Sequence, residues 1–523
     1  MKRALTLIAL ACLLPASASA SVRLERVAGF PSPGTPAKYN KVGILKVGPG
    51  SAENILVLNP GTSASAAYFA PLARDLVRKA KGWQVWAVER RENLLEDHSV
   101  LNRAKKGQVT GQQLFDYYLG WLTDSSIANH FQFVPDSSVS YARRWGMHVE
   151  IEDLRRVVKA AERAGGHVVV GGHSLGGSIT TAYATWNFGG RPGARGLSGL
   201  VFIDGGSSPK PVTPGAARKS LDDLAAADSP WLTFGGIAAP FTGLFNSTGA
   251  MGALIDPDSP SLGQAWPLLP ANLKPPVPAT NRGEYGYALD TETSPSGLVA
   301  AQAHLGRLAA SGDPRGWDDA GELTPLDRYA RMFAGAGLQG LDGTAWYHPR
   351  RLTIDSGAVA AGNKNPAQKV LDVRATHGDD LPRGLRIYAF GAALGGQRVL
   401  DAASALARQS DIPRRNLTLI DRHTTYAHND PNSAAPARNA FLKGPCRSCA
   451  GSPGADPLRR EALALGGRRD ELVPVEEARH VGLALLLGYA AAEAPELLQS
   501  ALPPLAGELG QAGVVQVAER VDP

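Results

Sequence analysis

One serine lies in a segment whose residue types and spacing are typical of a nucleophile. The segment GGHSLGG places Ser174 between an apolar run, HVVV, and a helix-compatible run, LGGSITTAYATW. A serine hydroxyl attacks a carbonyl efficiently only beside a base and near donors for the developing oxyanion. Gly172 and Gly176 have the spacing that lets a strand and a helix approach through a tight turn. The pattern predicts a nucleophile at a helix N-terminus, with the Leu175 amide as one oxyanion donor.

A second glycine-rich segment has a similar shape and no nucleophile. FGAALGG has Ala393 at the position where GGHSLGG has Ser174. The chain contains 59 glycines, so a lone Gly-x-Ser-x-Gly string carries little weight. The apolar run before Ser174 and the helical pattern after it make the assignment specific. Only the first of the two segments can supply a nucleophile.

These features resemble the α/β-hydrolase-fold serine hydrolases of the esterase and lipase kind. The resemblance covers residues 40–206 and 381–445, and GGHSLGG is its most specific part. It implies that the loop LNPGTSAS supplies a second oxyanion amide, that of Thr62. The family commonly has His-Gly-X in this loop, where Pro-Gly-Thr stands here.

The resemblance also implies a histidine base after the last strand of the sheet. The segment RHTTYAHND offers His423 and His428. His428 lies further beyond the strand, in a loop that leads into a helix-compatible stretch, and resembles the family's catalytic histidine in position. His423 adjoins the strand end, where a structural role is expected. We therefore favour His428 as the base.

The acid of the expected triad has more than one candidate. In many members of the family it follows the strand that we place at residues 385–391, but the turn there is GAAL and contains no carboxylate. Asp204, at the end of LVFIDGG, is the substitute, because some members carry the acid one strand earlier and the order Ser, Asp, His is kept. A turn-capping role for Asp204 is the alternative. Asp401 and Asp430 are the other candidate acids.

Alternating strands and helices must position these residues. Apolar runs predict strands near residues 41–49, 54–58, 83–89, 167–172, 197–206, 385–391 and 416–423, and helical periodicity appears at 65–80 and 150–164. This alternation predicts an α/β fold with a mostly parallel, doubly wound sheet of the α/β-hydrolase type. The Pro- and Gly-rich region between the fifth and sixth of these strands has helical pieces such as LVAAQAHLGRLAA and PLDRYARMFAGAG.

The chain is therefore expected to have five parts. They are a signal peptide (1–20), the first part of the α/β-hydrolase core (21–206), a large lid or cap insertion (207–380), the second part of the core (381–445) and a helical C-terminal extension (446–523).

The leader and the cysteines indicate a compartment. The first twenty residues combine basic residues, an apolar run and a small-residue cleavage signal, which predicts secretion to the periplasm or the medium after cleavage before Ser21. Cys446 and Cys449 would form a disulfide in an oxidising compartment. The net charge of +6 is too mild and scattered to indicate nucleic acid. No later segment has the length of a membrane span.

The expected function is that of a secreted serine hydrolase that cleaves carboxylic esters through an acyl-enzyme. The substrate would be a small-molecule or lipid-like ester, and no cofactor or metal is implied. A secreted serine peptidase or an acyltransferase would use the same triad. A non-catalytic binding protein that keeps the fold is an alternative of a different class. The sequence does not determine the acyl chain length or the oligomeric state.

Overall fold

The computed structural model describes residues 21–234 and 237–444, and an eight-stranded sheet lies at its centre. The expected signal peptide, the cysteine pair and the expected C-terminal extension lie outside the described residues. The strands in chain order are β1 Val22–Ala28, β2 Lys41–Val47, β3 Asn54–Asn59, β4 Trp83–Glu89, β5 His167–His173, β6 Gly199–Ile203, β7 Thr233–Phe234, β8 Ile237–Ala238, β9 Arg307–Gly312, β10 Arg315–Asp318, β11 Arg386–Gly391 and β12 Leu417–Asp421.

The central sheet has the order β1-β2-β4-β3-β5-β6-β11-β12. Strand β2 is antiparallel to both of its neighbours, whereas the six strands from β4 to β12 are mutually parallel. The sequence prediction of a mostly parallel sheet is confirmed. The carboxyl ends of parallel strands lie at the same edge of the sheet. The segments that follow β3, β5, β6, β11 and β12 therefore lie together at this edge.

Fourteen α-helices flank the sheet and build the insertion within the described part of the chain. They are α1 Ala70–Lys79, α2 Ser99–Ala104, α3 Gly111–Tyr118, α4 Met147–Gly165, α5 Leu175–Thr185, α6 Pro214–Ala226, α7 Ala239–Ile255, α8 Leu262–Ala265, α9 Asn281–Leu289, α10 Leu326–Phe333, α11 Arg350–Ser356, α12 Pro366–Leu371, α13 Gly396–Gln409 and α14 Asp430–Ser433.

The sheet is buried on both faces, which explains its continuous apolar strands. In β3, Leu56 and Leu58 belong to one hydrophobic cluster, and Ile55 and Val57 belong to the other. Side chains of a strand alternate between faces, so both faces need apolar residues when helices cover each of them. The run NILVLN therefore specifies a central strand.

The insertion leaves the sheet after β6 and returns at β11, and these two strands are direct neighbours. Its side chains join both clusters of the core: Trp346 packs in one and Leu352 in the other. The rings of Phe241 and Phe133 lie 4.5 Å apart, so the insertion also packs against the region after β4. The insertion thus shares its apolar core with the sheet. The boundaries of the five expected parts stay predictions.

The prediction of one helix in the insertion is wrong. The segment LVAAQAHLGRLAA forms a short 3-10 turn followed by β9, which pairs with β10 in an antiparallel hairpin. Gly306 has a φ of +119°, which is incompatible with a helix running through the segment. Pairing with β10 outweighs the helix propensity of the alanines. The helical patterns at GQQLFDYYLGWL and PLDRYARMFAGAG are confirmed by α3 and α10.

Strand β1 was not expected from the sequence. It pairs along its whole length with β2 at the edge of the sheet, and most of its residues are partly or fully exposed. An edge strand of this kind lacks the apolar run that marks the buried strands. None of the helices in residues 21–234 and 237–444 has the length and apolarity to cross a membrane.

Candidate active site

Ser174 lies on a strained turn between β5 and α5. Its φ of 55° and ψ of −124° are rare for a residue with a side chain, and such conformations cost on the order of 1–3 kcal/mol. The Ser174 amide donates to the Ile203 carbonyl at 3.1 Å, which ties the turn to the end of β6. The serine is partly exposed, whereas its neighbours His173 and Gly176 are buried. The turn therefore presents the hydroxyl at the carboxyl edge of the sheet.

The glycines around Ser174 are required by close backbone contacts. A Cβ on Gly172 would lie 2.2 Å from the Gly176 carbonyl oxygen, and one on Gly176 would lie 2.0 Å from that of Asn59. A Cβ on Gly205 would lie 2.0 Å from the carbonyl oxygen of Ser174. Real Cβ atoms do not approach so closely. The Gly-x-Ser-x-Gly spacing thus reflects the approach of β5, α5 and the segment after β6.

The structure brings Asp204 and His428 together. His428 Nδ1 lies 2.6 Å from Asp204 Oδ2, and both side chains are almost fully buried. Burial alone would raise the pKa of Asp204, but the hydrogen bond and charge of His428 outweigh it and lower the pKa below its usual range. Asp204 therefore stays ionised, and it favours the histidine tautomer with its proton on Nδ1.

The second glycine-rich segment holds the carboxylate of Asp204. Oδ1 accepts backbone N–H groups of Ala392 (2.7 Å), Gly395 (2.9 Å) and Gly396 (3.1 Å), and Oδ2 accepts that of Leu394 (3.2 Å). A Cβ on Gly395 would lie 2.7 Å from Asp204 Oδ1, so this glycine permits the approach. FGAALGG lacks an acid of its own and instead binds the acid of the neighbouring strand. We call residues 392–396 the Asp204 cradle.

His173 contacts the backbone of His428. Its Nε2–H donates to the His428 carbonyl at 2.8 Å, and the two rings lie 4.2 Å apart. The Tyr68 hydroxyl lies 2.8 Å from His173 Nδ1. Burial, followed by the charge of His428, lowers the pKa of His173 well below its usual value, so its ring is neutral. The sequence assigned His173 no role in the site, because its partners Tyr68 and His428 are distant in the chain.

Thr62 and Leu175 have free amides near the serine. A Cβ on Gly61 would lie 3.0 Å from Ser174 Cβ, which places the loop after β3 directly against the turn that contains Ser174. Within the part of the chain that the structure describes, the amide N–H groups of Thr62 and Leu175 have no acceptor. Both residues are partly exposed. The two amides are available to a negatively charged oxygen.

Buried Arg90 orients the loop that contains Thr62. Its guanidinium donates to the carbonyls of Pro60 (3.0 Å), Gly61 (2.9 Å) and Ala64 (3.1 Å), and its Nε donates to Glu92 (2.8 Å). In a trans peptide the C=O and the following N–H point in opposite directions. Fixing the Gly61 carbonyl toward Arg90 therefore turns the Thr62 N–H away from it. The sequence analysis missed Arg90, because no local pattern marks an arginine with three carbonyl acceptors.

The other sequence candidates contact different groups. His423 is half-exposed and lies 2.7 Å from Asp421. Asp430 is buried against His304 Nδ1 at 2.5 Å, and exposed Asp401 accepts from the side chain of Gln397. Of the candidate bases and acids from the sequence, the structure thus places His428 and Asp204 in mutual contact.

Ser174 and His428 are not hydrogen-bonded. The Ser174 hydroxyl has no hydrogen-bond partner among the residues described. Catalytic hydrogen bonds are often long in ligand-free sites and tighten when substrate binds.

Three features of the fold now coincide. The sheet is mostly parallel with an antiparallel second strand, a serine lies on the strained turn after β5, and a histidine after the last strand contacts an aspartate. The chain has the α/β-hydrolase fold. No family model matches it, and no curated protein matches its sequence.

Several solved α/β-hydrolase-type structures are similar to the chain at low identity. A candidate lipase from Sulfolobus solfataricus is 14% identical, with a TM-score of 0.41 over 81% of this chain and 92% of that one. The thioesterase domain from the curacin biosynthetic pathway is 11% identical (TM-score 0.34, 81% and 100%). A soluble variant of monoglyceride lipase from Saccharomyces cerevisiae is 11% identical (TM-score 0.33, 77% and 89%). Because the identities and TM-scores of these structures are low, the fold assignment depends on this chain's own strand order and turn geometry.

Proposed function

We propose that this α/β-hydrolase is a secreted serine hydrolase that cleaves carboxylic esters. The observation that carries the proposal is the buried Asp204–His428 pair at the same sheet edge as a strained serine turn. Four backbone N–H groups hold the carboxylate in its orientation toward the imidazole. Strain at a partly exposed serine and a fixed, ionised acid are features of nucleophilic catalysis.

In the proposed reaction, Ser174 Oγ attacks the ester carbonyl and His428 Nε2 takes the hydroxyl proton. Asp204 stabilises the imidazolium through Nδ1–H. The carbonyl oxygen becomes an oxyanion and accepts from the amides of Thr62 and Leu175. Collapse of the tetrahedral intermediate breaks the ester C–O bond, and the imidazolium returns the proton to the alcohol. Water, deprotonated by His428, then hydrolyses the acyl-serine by the same route.

The proposal requires the serine hydroxyl to move into contact with His428 Nε2 when substrate binds. The Ser174 hydroxyl has no partner to lose among the described residues. Rotation about the Cα–Cβ bond redirects a serine hydroxyl without displacing the backbone.

Secretion and processing are part of the proposal. The hydroxyl of Ser21 donates to the Gly48 carbonyl, and β1 begins at the following residue. This supports cleavage before Ser21, since the mature chain would then begin at the first strand. Sequencing the N-terminus of the exported protein tests it, and an N-terminus elsewhere or retention inside the cell would contradict it.

A fluorophosphonate probe tests the enzyme. We expect the wild type to be labelled and Ser174→Ala to be unlabelled, with Ser178→Ala, one turn along the same helix, as the matched control. Failure of the wild type to react would contradict the serine-enzyme proposal and favour a binding protein.

Matched ester, amide and acyl-acceptor substrates then test the reaction class. We expect turnover of p-nitrophenyl esters, with the dependence on chain length defining the pocket. Preferential cleavage of amides would indicate a peptidase, and transfer to an added alcohol in preference to water would indicate an acyltransferase.

A further inference from the structure

A cluster of three buried ionisable side chains lies behind the loop that contains Thr62. Glu96 and His98 follow β4, and Asp342 belongs to the insertion. Glu96 Oε2 and His98 Nε2 are 3.1 Å apart, and His98 Nε2 is 3.9 Å from Asp342 Oδ1. All three atoms lie within 4.8 Å of one another. The side chains of Glu96, His98 and Asp342 are 1%, 7% and 0% exposed.

Two of these three atoms have no hydrogen bond. Glu96 Oε2 and His98 Nε2 are buried and lack a partner, because their 3.1 Å contact does not have hydrogen-bond geometry. A buried polar atom without a partner costs about 1–3 kcal/mol, and a charged one costs more. Two such atoms facing each other and a carboxylate indicate that a further group satisfies them.

The remaining carboxylate oxygens are fixed by other donors. Glu96 Oε1 accepts the backbone N–H of Trp346 at 2.8 Å, and Asp342 Oδ2 accepts the Trp346 indole N–H at 2.8 Å. Asp342 Oδ1 accepts the Thr344 N–H at 3.0 Å, and the Thr344 hydroxyl lies 3.2 Å from it and 3.4 Å from the Gly243 carbonyl. Donation of that hydroxyl to Gly243 leaves the second lone pair of Oδ1 available. Outer contacts that orient each ligand in this way are typical of protein metal sites. They leave one oxygen of each acid directed at the imidazole nitrogen.

The geometry points to a site for one divalent transition-metal cation of the Zn²⁺ type, bound by Glu96 Oε2, His98 Nε2 and Asp342 Oδ1, which supply three of the four tetrahedral positions. Zn²⁺ takes imidazole and carboxylate ligands at ~2.0–2.2 Å, which holds tetrahedral ligand atoms ~3.3–3.6 Å apart. The two measured separations, 3.1 and 3.9 Å, bracket this spacing. Two carboxylates and a neutral imidazole also balance the charge of the ion. Ca²⁺ takes six to eight oxygen ligands, which three side chains do not supply.

Without a cation the cluster must hold protons. Burial, with the nearby charge of Asp342, raises the pKa of Glu96 well above its usual value. Burial alone would lower the pKa of His98, but the two carboxylates outweigh it and raise the pKa to about 10. Glu89 and Lys105 are the other charged groups that act on the cluster. A proton-held cluster is the competing state that the experiment must distinguish.

The proposed ion would link the insertion to the loop containing Thr62. Ser65 donates its hydroxyl to the Asp342 carbonyl and its backbone N–H to that of Gly343. The Ala345 N–H donates to the Ser63 carbonyl at 2.8 Å. A cation that fixes Asp342 would therefore also stabilise residues 63–65, which are hydrogen-bonded to residues 342–345. The site rests on these contacts alone and does not depend on the proposed hydrolase activity.

The test uses the full chain, stripped with a chelator and titrated with Zn²⁺. We expect one Zn²⁺ per chain by calorimetry, together with a higher melting temperature in zinc than in chelator. His98→Gln and Glu96→Gln should each weaken binding at least about tenfold and abolish the melting shift, while circular dichroism shows a folded chain. His304→Gln, at a partly exposed histidine elsewhere, should bind as the wild type does.

A Cys446→Ser/Cys449→Ser variant controls for zinc held by the two cysteines, and its binding should persist. Absence of saturable binding to the wild type would overturn the proposal. So would equal binding by the wild type and both folded Gln variants, because the cluster would then be held by protons.

Discussion

Replacing Asp204 by asparagine tests the acid at the centre of the candidate site. The carboxylate accepts three backbone N–H groups at Oδ1, and at Oδ2 it accepts the Leu394 N–H and faces His428 Nδ1. In Asp204→Asn the cradle fixes the amide oxygen at the Oδ1 position, so its NH₂ group faces His428. The imidazole must then accept at Nδ1 and place its proton on Nε2, where it can no longer take a proton from Ser174.

The expected loss is large in rate and moderate in stability. A wrong histidine tautomer lowers kcat by about 10³–10⁴-fold. In the variant the side-chain NH₂ group faces the Leu394 N–H, and both groups are donors, so this N–H loses its acceptor. Loss of a buried charge-assisted acceptor costs about 1–3 kcal/mol of unfolding free energy. We expect KM to change little, because the cradle lies behind the imidazole.

Steady-state hydrolysis of a p-nitrophenyl ester, paired with urea unfolding of the same samples, measures both effects. Asp401→Asn is the matched control, since that exposed acid contacts only Gln397 among the described residues. A folded Asp204→Asn enzyme with kcat within about tenfold of the wild type would refute the assigned role.

Three further predictions follow from the geometry. Arg90→Lys should lower kcat about 10–100-fold with KM nearly unchanged, because lysine cannot hold the three carbonyls at once, and a change confined to KM would contradict this. Gly205→Ala should lower the melting temperature sharply, because its Cβ would lie 2.0 Å from the Ser174 carbonyl oxygen. Gly206→Ala is the control and should not, because its Cβ would lie 3.6 Å from its nearest neighbour. Equal melting temperatures of the two variants would contradict the close contact at Ser174. Burial raises the pKa of Glu284 to about 8. Between pH 5 and 8 the folded protein therefore binds more protons at Glu284 than the unfolded protein does, so the free energy of unfolding falls as pH rises. Glu284→Gln should exceed the wild type in free energy of unfolding by ~1–3 kcal/mol at pH 8. Parallel curves of unfolding free energy against pH for the two proteins would contradict this.

Much of the fold could be predicted from the sequence, since its signals are local. The apolar runs at β3, β5, β6 and β11 mark strands buried on both faces, and the periodicity after β3 and before β5 marks helices. Strand β1 lacked such a signal because only one side of it pairs with the sheet. The alanine-rich segment at β9 was misassigned, because its pairing with β10 outweighs helix propensity.

The candidate site also contains some residues that a local sequence pattern marks and others that only the fold brings together. The residues around Ser174 carry their own pattern, and the position of His428 after the last strand indicated a base. Asp204 could be proposed only as one of several acids. Its assignment depends on a hydrogen bond to a residue 224 positions later in the chain.

The sequence by itself determined where the turn at Ser174 and its flanking strand and helix form, because neighbouring residues specify them. Only the tertiary structure decided what holds the acid, the loop of Thr62 and the Glu96–His98–Asp342 cluster. The donors to Asp204 are backbone amides of residues 392–396, about 190 positions away, and every residue except proline has such an amide. Their role arises from chain geometry and close approach, which residue type does not encode.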